Sequence, residues 1–411
     1  MARFPPDSVA MTLLLTALIA FGALSNNMYL PSLPSMAEVL GVPVGAVLLT
    51  VSAFFLGFAA GQLVYGSLSD RFGRRPVLLG GLAAYTAASA ICMAAPGIEV
   101  LIAGRVVQGL GAAAGQVLAR AIVRDLFEPP RAARMLSVMA AVFSVMPALA
   151  PFAGGFLEAW FGWRAQFATM MLIGSAVLAL VWRGLGETIA RPDPTATDPR
   201  RIAANYRALA SHPAVMGYTL SFAALFAGMF AFHSGSAFVF IDLLGYGPEV
   251  YGAFFIIVGA GYLAGSVASA RITVRLGHRR LVVLGGTIAV LGGGVMLALV
   301  LAGRVTAWTI LVPQFTFMLG TGLLMPNAIV GALAPYPEKA GAASALFGFF
   351  QQAAAGLMVA GLGWIADGTA RPMAACIFAG AAASLAAYGG MVRRAHGRAE
   401  GPAVPGPRQS R

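Results

Sequence analysis

Charge is what this sequence has least of. Only 10% of its 411 residues are Asp, Glu, Lys or Arg, against 59% hydrophobic, and the mean hydropathy is +0.81. A soluble domain carries about a quarter charged residues, because it must cover its core with polar side chains. This chain has too few to do so. An ordinary water-soluble globule is excluded, and lipid becomes the solvent for most of the surface. Cysteine is nearly absent too: Cys92 and Cys376, each inside an apolar stretch, provide neither a disulfide framework nor a thiolate metal site. With four histidines and no metal or nucleophile cluster, a membrane enzyme or sensor is the least favoured class. No catalytic residue, metal or cofactor is expected. Lysine is scarce as well, since Lys339 stands alone among 27 basic residues; with the abundant Ala and Gly, this reads as coding bias rather than function.

What the chain does have is long apolar runs. A helix needs about 20 apolar residues to cross a bilayer core. Windows of that length predict spans at 10–31, 45–68, 76–95, 98–123, 134–158 and 164–182, then at 214–241, 249–271, 281–302, 306–331, 340–364 and 371–391. The stretch Val9–Leu24 behind Arg3 has the outline of a signal peptide, but it runs on through Asn26 and Asn27 into Met-Tyr-Leu-Pro. It reads as a retained first span.

The net charge of +12 raises nucleic acid as a partner, yet the basic residues lie in short clusters between spans. Membrane orientation explains them better. With the N-terminus placed in the cytoplasm, the cytoplasmic side receives Arg3, the 71–75 cluster, Arg120, Arg124, Arg131 and Arg134. It also takes the 183–207 arginines, the 271–280 cluster, Lys339 and the C-terminal arginines from Arg393 on. The count is 23 inside against three outside (Arg164, Arg304, Arg371), with Arg105 alone within a span. By the positive-inside rule both termini are expected in the cytoplasm.

The longest break, 183–213, carries Arg-Pro-Asp-Pro-Thr-Ala-Thr-Asp-Pro-Arg and divides the spans six and six. The expected organisation is a six-helix bundle at 1–182, a cytoplasmic linker at 183–213 with a surface helix at 202–210, a second bundle at 214–393 and a disordered tail at 394–411. An internal echo supports two related halves: Asp70-Arg-Phe-Gly-Arg-Arg after span 2 and Val274-Arg-Leu-Gly-His-Arg-Arg after span 8, with one residue inserted. Repeated halves around a central site are a transporter architecture.

Gly66-Ser-Leu-Ser-Asp70-Arg71-Phe72-Gly73-Arg74-Arg75 resembles the signature loop of the major facilitator superfamily, G-x-L-a-D-R-x-G-R-[KR]. The resemblance implies an all-α polytopic fold of twelve transmembrane helices in two pseudo-symmetric six-helix bundles. It also implies a switch role for this loop, with Arg74 paired to Asp125. Physically, Gly66 permits close helix approach, Asp70 can cap a neighbouring helix N-terminus and Gly73 supplies a turn. Asn26-Asn-Met-Tyr-Leu-Pro-Ser-Leu-Pro34 narrows the resemblance to the bicyclomycin-resistance (Bcr/CflA) group of drug–proton antiporters. Ser234-Gly-Ser-Ala-Phe-Val, Leu324-Met-Pro-Asn-Ala and Gly341-Ala-Ala-Ser-Ala-Leu agree with it.

Pro147, Pro151, Gly154 and Gly155 in span 5 resemble the helix-5 antiporter motif; a simple packing kink would look the same locally. In span 4, Arg105-Val-Val-Gln108-Gly109-Leu-Gly111 is no dinucleotide loop, since no strand precedes it. A charge inside a span is costly, so Arg105 should face the interior with a partner. The resemblance places it near the substrate and proton site.

One departure stands out. The family pattern has Asp before Met-Tyr-Leu-Pro, and here that residue is Asn27, which can hydrogen-bond an arginine but not carry a proton. Counting ~1.5 Å per residue, Asn27 and Arg105 lie at similar depths, so a contact between them is expected. His233 is the titratable alternative in span 7, either a proton carrier or a hydrogen-bonded structural histidine, and Asp242 near the end of that span is a weaker candidate. Cavity candidates on the central helices are Asn26, Asn27, Tyr29, Met146, Phe230, His233, Phe238, Phe315, Asn327, Phe349 and Gln352, although for any single one of them packing is the commoner role. With no acid deep in a span, neutral or zwitterionic substrates are expected.

The sequence therefore points to a monomeric exporter of small amphipathic molecules in the bacterial inner membrane, in exchange for protons. Its expected partners are a small-molecule substrate, protons and the lipid bilayer, with no nucleic acid. Import or facilitated passage of a metabolite, with weak or no proton coupling, is the alternative.

Overall fold

The computed structural model describes residues 4–393, and among these there is no strand. In hydrocarbon every backbone N–H and C=O must be satisfied within its own segment, so apolar runs of this length become helices. Spans 1 to 6 are Val9–Asn27, Val44–Phe72, Arg74–Met93, Ile98–Leu126, Pro129–Phe161 and Arg164–Gly184. The linker helix is Pro199–Ala210. Span 7 is Pro213–Ala237, continued by a widened turn at Phe238–Leu243, and Ala307–Leu333, Ala340–Ile365 and Arg371–Ala387 form spans 10 to 12.

Spans 8 and 9 occupy Pro248–Leu301 and are two helices that meet at Gly277, whose backbone is not helical. Among the described residues eleven helical stretches are long and apolar enough to cross a membrane, and dividing Pro248–Leu301 at Gly277 makes twelve segments. Gly277 has φ 76° and ψ 154°, and Gly73, its counterpart in the internal repeat, has φ 97° and ψ 152°. Side chains other than hydrogen are strained there, so one backbone solution serves both halves.

Helices outrun the apolar windows mainly at the arginine-rich end. Span 5 begins at Pro129 rather than 134, and span 8 reaches Gly277 rather than 271. Arginine stems can lie along the apolar surface while their heads reach water, so hydropathy falls before the helix ends. The expected tail at 394–411 lies outside the described residues.

The two halves repeat their internal packing. A Cβ on Gly57 or Gly109 would overlap the backbone of Val106 or Phe54, joining span 2 to span 4. Gly261, Gly265 and Gly322 do the same for spans 8 and 10, against Phe315, Leu319 and Tyr262. Backbone contact of this kind is how helices associate where lipid removes the hydrophobic drive.

Between the halves, two seams close the end away from the arginine-rich loops. Span 2 runs along span 11: at the far end Gly45 meets Gly363 and the Ser52 hydroxyl donates to Gly356 O at 2.7 Å, and toward the basic end Gly348 lies against Gln62. Span 5 meets span 8 through Gly155 against Pro248, Gly252 against Pro151 and Gly259 against Ala148. Nearer the basic end span 5 is exposed, at Val138, Val145 and Leu149. There the linker helix bridges the halves. Its Leu209 packs with Met216, Ala343 and Leu346, while the Tyr206 hydroxyl donates to Leu63 O at 3.1 Å.

Candidate transport cavity and switch

A central cavity lies between the halves. The first half contributes Asn26, Asn27, Phe54, Phe55, Phe58, Gln116, Phe143, Ser144 and Pro147. The second contributes Phe222, Phe226, Met229, Phe230, Tyr262, Met318, Thr321, Met325, Gln351 and Gln352. Among the described residues no charged side chain lines it. Three of its oxygens, Asn26 Oδ1, Asn27 Oδ1 and Gln352 Oε1, are buried without a hydrogen-bond partner. A buried acceptor left unmade costs on the order of 1–3 kcal/mol, so such atoms persist where something else satisfies them. The walls are aromatic and methionine, able to follow many ligand shapes.

Of the cavity residues expected from sequence, Asn26, Asn27, Phe230 and Gln352 line it, whereas Tyr29, Met146, Phe238, Phe315, Asn327 and Phe349 do not. Asn327 is held by Ser269 and Leu323 O, both at 2.8 Å. Phe315 presents backbone to Gly261, Phe349 packs edge-on against Phe350, and Met146 yields to its neighbour Pro147. Phe238 and Asp242 share a separate groove at the far end with Val44, Leu362 and Asp367. The phenylalanines of spans 2 and 7 carried a legible signal: Phe54 and Phe58, like Phe222, Phe226 and Phe230, recur at four-residue spacing and so share a helix face.

Arg105 is fully buried, but Asn27 is not its partner. The Asn27 amide turns back to donate to Ala23 O at 2.7 Å. The guanidinium of Arg105 is held by the rings of Tyr29 and Phe54, 4.2 and 4.3 Å away, with Phe167 at 5.9 Å. It donates to Gln108 and to Thr50 O, and its Nη2 has no acceptor. Ring faces are electron-rich, and desolvated cation–π contacts contribute about 2 kcal/mol. No carboxylate touches it among the described residues.

His233 is likewise fully buried and lies outside the cavity, behind Phe230. Its Nδ1 bonds Met229 O at 2.8 Å, its Nε2 has no partner, and Phe232 and Phe255 complete an aromatic cage.

The signature loop is assembled at the basic end. Arg74 Nε donates to Asp125 at 3.0 Å, as expected, and the same guanidinium reaches Asp70 and Ser69. Asp70 thus pairs with Arg74 and caps no helix. The carboxylate that meets a helix start is Glu187, which the sequence reading missed: it accepts the backbone N–H groups of Arg74 and Arg75 at 2.9 and 3.2 Å. An anion there offsets the positive end of span 3. Arg75 donates to Trp182 O, and Arg71 reaches Thr197 in the linker. Gly66 meets nothing within 4 Å of an added Cβ, so the expected close approach is not made there. In the linker, Thr195 through its hydroxyl and backbone N–H, and then Arg201, hold the Asp193 carboxyl down to about 2.

Span 5 places its motif at the far seam. A Cβ on Gly154 would lie 1.8 Å from Met28 O in the turn after span 1, and one on Gly155 would lie 2.3 Å from Pro248 O in the other half. Pro151 meets Gly252. The motif therefore lies at the interface between the halves.

A model of the Major Facilitator Superfamily matches residues 15–359. The chain belongs to the major facilitator superfamily. It is 30% identical over 394 residues to the uncharacterized MFS-type transporter YdgK of Bacillus subtilis, covering 95% of this chain and 98% of that one. It is 31% identical to multidrug resistance protein D of Escherichia coli, over 85% of this chain and 88% of the relative. To the bicyclomycin resistance protein homolog of Haemophilus influenzae it is 29% identical, over 91% and 93%. Among solved structures, the E. coli xylose transporter XylE in a partially occluded inward-open conformation superposes with TM-score 0.74 at 14% identity, covering 93% of this chain and 97% of that one. A peptide transporter POT gives 0.75 at 15% identity, covering 96% of each. These last two share the fold. As a major facilitator protein the chain is a small-molecule transporter and a multi-pass protein of the bacterial inner membrane, and the sequence resemblance to the bicyclomycin-resistance group is upheld.

Proposed function

We propose that this protein exports small amphipathic molecules that are not strongly cationic, by alternating access of the central cavity and in exchange for protons. The arginine-rich end and both termini face the cytoplasm. One observation carries the reading: an aromatic and methionine cavity, formed by both halves, holds three unpartnered amide oxygens and no acid. Apolar walls accept varied shapes, and the amides orient a ligand that brings hydrogen-bond donors. A cationic drug would find no counter-ion.

The glycine seams of spans 2–11 and 5–8 hold the far side together, which supports reading the vestibule side as the cavity's route to the cytoplasm. Rocking the halves would open these seams and close the basic end, where Arg74, Asp70 and Asp125 act as the switch. Proton exchange falls to His233, since Asn27 cannot carry a proton; Asp242, in its own groove, is the secondary candidate. Coupling is accordingly weaker than in a relative with aspartate at that position.

Expression in an efflux-deficient host against a panel including bicyclomycin, chloramphenicol-type and sulfonamide compounds tests the export reading. Raised resistance, with uptake of the same compound into everted vesicles, supports it. Concentrative uptake only into right-side-out vesicles would favour import. Substrate-driven proton release should be weak in the wild type, lost in His233→Gln and strengthened in Asn27→Asp. Strong release that survives His233→Gln and Asp242→Asn refutes the coupling assignment.

A further inference from the structure

Below the cavity, the basic end holds a second space of about 1000 Å³, walled by spans 2, 4 and 11 and floored by the linker helix. Gln62 borders this vestibule and Gln116 borders the cavity, and their side chains are bonded at 2.8 Å. This amide pair, with Gly348 packed against Gln62, lies at the boundary of the two spaces.

The charges of the vestibule do not balance. Arg74, Arg120, Arg124 and Arg201 line it, against Asp70 and Asp193. Arg74 is taken by Asp70 and Asp125, and Arg201 by Asp193. Arg120 and Arg124 have no carboxylate partner among the described residues. They stand four residues apart on one helix face, where like charges repel. Arg120 is half-buried and lines this space rather than a lipid-facing surface. Further along the same helix Arg105 adds a third cation without a carboxylate, fully buried behind Phe54, and Phe54 is a cavity wall. Low-dielectric walls focus such a field onto anything passing between them.

We propose that the transported molecules carry one acidic group: Arg120 and Arg124 draw an amphipathic anion into the vestibule, and the field of Arg105 holds its charge beside the cavity while the apolar body lies among the phenylalanines. This deepens the export reading above and rests on it. It also widens the excluded class from strongly cationic compounds to all net cations.

The probe pair is dansylglycine and its uncharged amide, which share shape and aromatic body. Binding is followed by fluorescence on the full-length protein in liposomes of pure phosphatidylcholine, and transport in everted vesicles. The carboxylate should bind at least about tenfold more tightly than the amide at low salt, with the preference shrinking as salt shortens the screening length to a few ångströms, roughly 3 Å at 1 M. Arg120→Gln and Arg124→Gln should each lower that preference and slow association of the carboxylate at low salt, with the amide affected less, which a merely structural role would not do. Equal binding of the two probes, a preference untouched by both substitutions, or binding of neither by a protein that exports panel compounds would overturn the proposal. A preference abolished only when phosphatidylglycerol is added would assign the arginines to a lipid headgroup instead, which also overturns it. Export of uncharged compounds alone defeats the anion proposal and spares the export reading; carboxylate binding without export does the reverse.

Discussion

Gly252→Ala should open the far side of the protein without unfolding either half. An added Cβ would lie 2.5 Å from Pro151 O, where ordinary contact begins at 3.4 Å. The seam must therefore part by roughly 1 Å, since packed interiors hold no slack at this scale. Pro151 belongs to one half and Gly252 to the other, so the clash exists only while the far side is closed. Overpacking of this kind costs about 1–3 kcal/mol. A 2 kcal/mol penalty on one state alone shifts the closed-to-open ratio by roughly thirtyfold. Spin labels at Val39 and Leu243, which are 62% and 46% exposed at the far mouth, would report it by pulsed electron–electron resonance. Both native cysteines are buried and need not interfere. The wild type should show a dominant short distance, and Gly252→Ala a second, longer population with an unchanged melting temperature. Gly155→Ala, which meets Pro248 O from the opposite half, should act in the same direction. Unchanged distance distributions in both variants would refute the view that this seam gates the far side.

Other outcomes follow from the same geometry. Arg74→Ala leaves the Asp125 carboxylate without its cation and should lower stability by about 2 kcal/mol, less than a fully buried pair because Asp70 and Asp125 keep contact with water; Arg74→Lys should recover part of this in thermal melts. Gly277→Ala forces a side chain into a backbone region reserved for glycine and should cost about 1–3 kcal/mol, read as a lower melting temperature with substrate selectivity intact. Asn327→Ala removes the bonds to Ser269 and Leu323 and should cost about 1 kcal/mol, again without changing which compounds are exported. The carboxyl of Asp193 is held down to about 2 in the folded protein, so its contribution to the linker turn is complete above the ordinary aspartate range and is lost as pH falls toward 2. Linker proteolysis at Arg191 and Arg200 should accordingly stay constant from pH 8 to 5.

Hydropathy made the spans legible because each must satisfy its backbone alone in lipid, and the echo of Gly73 at Gly277 made the two halves legible. What it could not give was the direction a side chain points around a helix axis. Asn27 and Arg105 share a depth, yet Asn27 folds back on its own helix and Arg105 turns between Tyr29 and Phe54. The same limit explains why Gln351 and Gln352 line the cavity and Phe349 does not. Glu187 was hidden for another reason: it lies far along the chain from the helix start it caps, and nothing in its own surroundings marks it. The stripe Phe222, Phe226, Phe230 was readable from spacing alone.

The most direct test of the account is uptake into energised everted vesicles of a compound to which the protein confers resistance, compared between wild type and the double variant Asn26→Leu and Gln352→Leu. These substitutions remove two of the unpartnered amides from the cavity and leave its charge unchanged. The account predicts concentrative, protonophore-sensitive uptake by the wild type and at least about a tenfold loss in the variant, the scale expected when a site loses its orienting hydrogen bonds. Undiminished uptake by a well-folded variant, or no wild-type uptake at all, would contradict it.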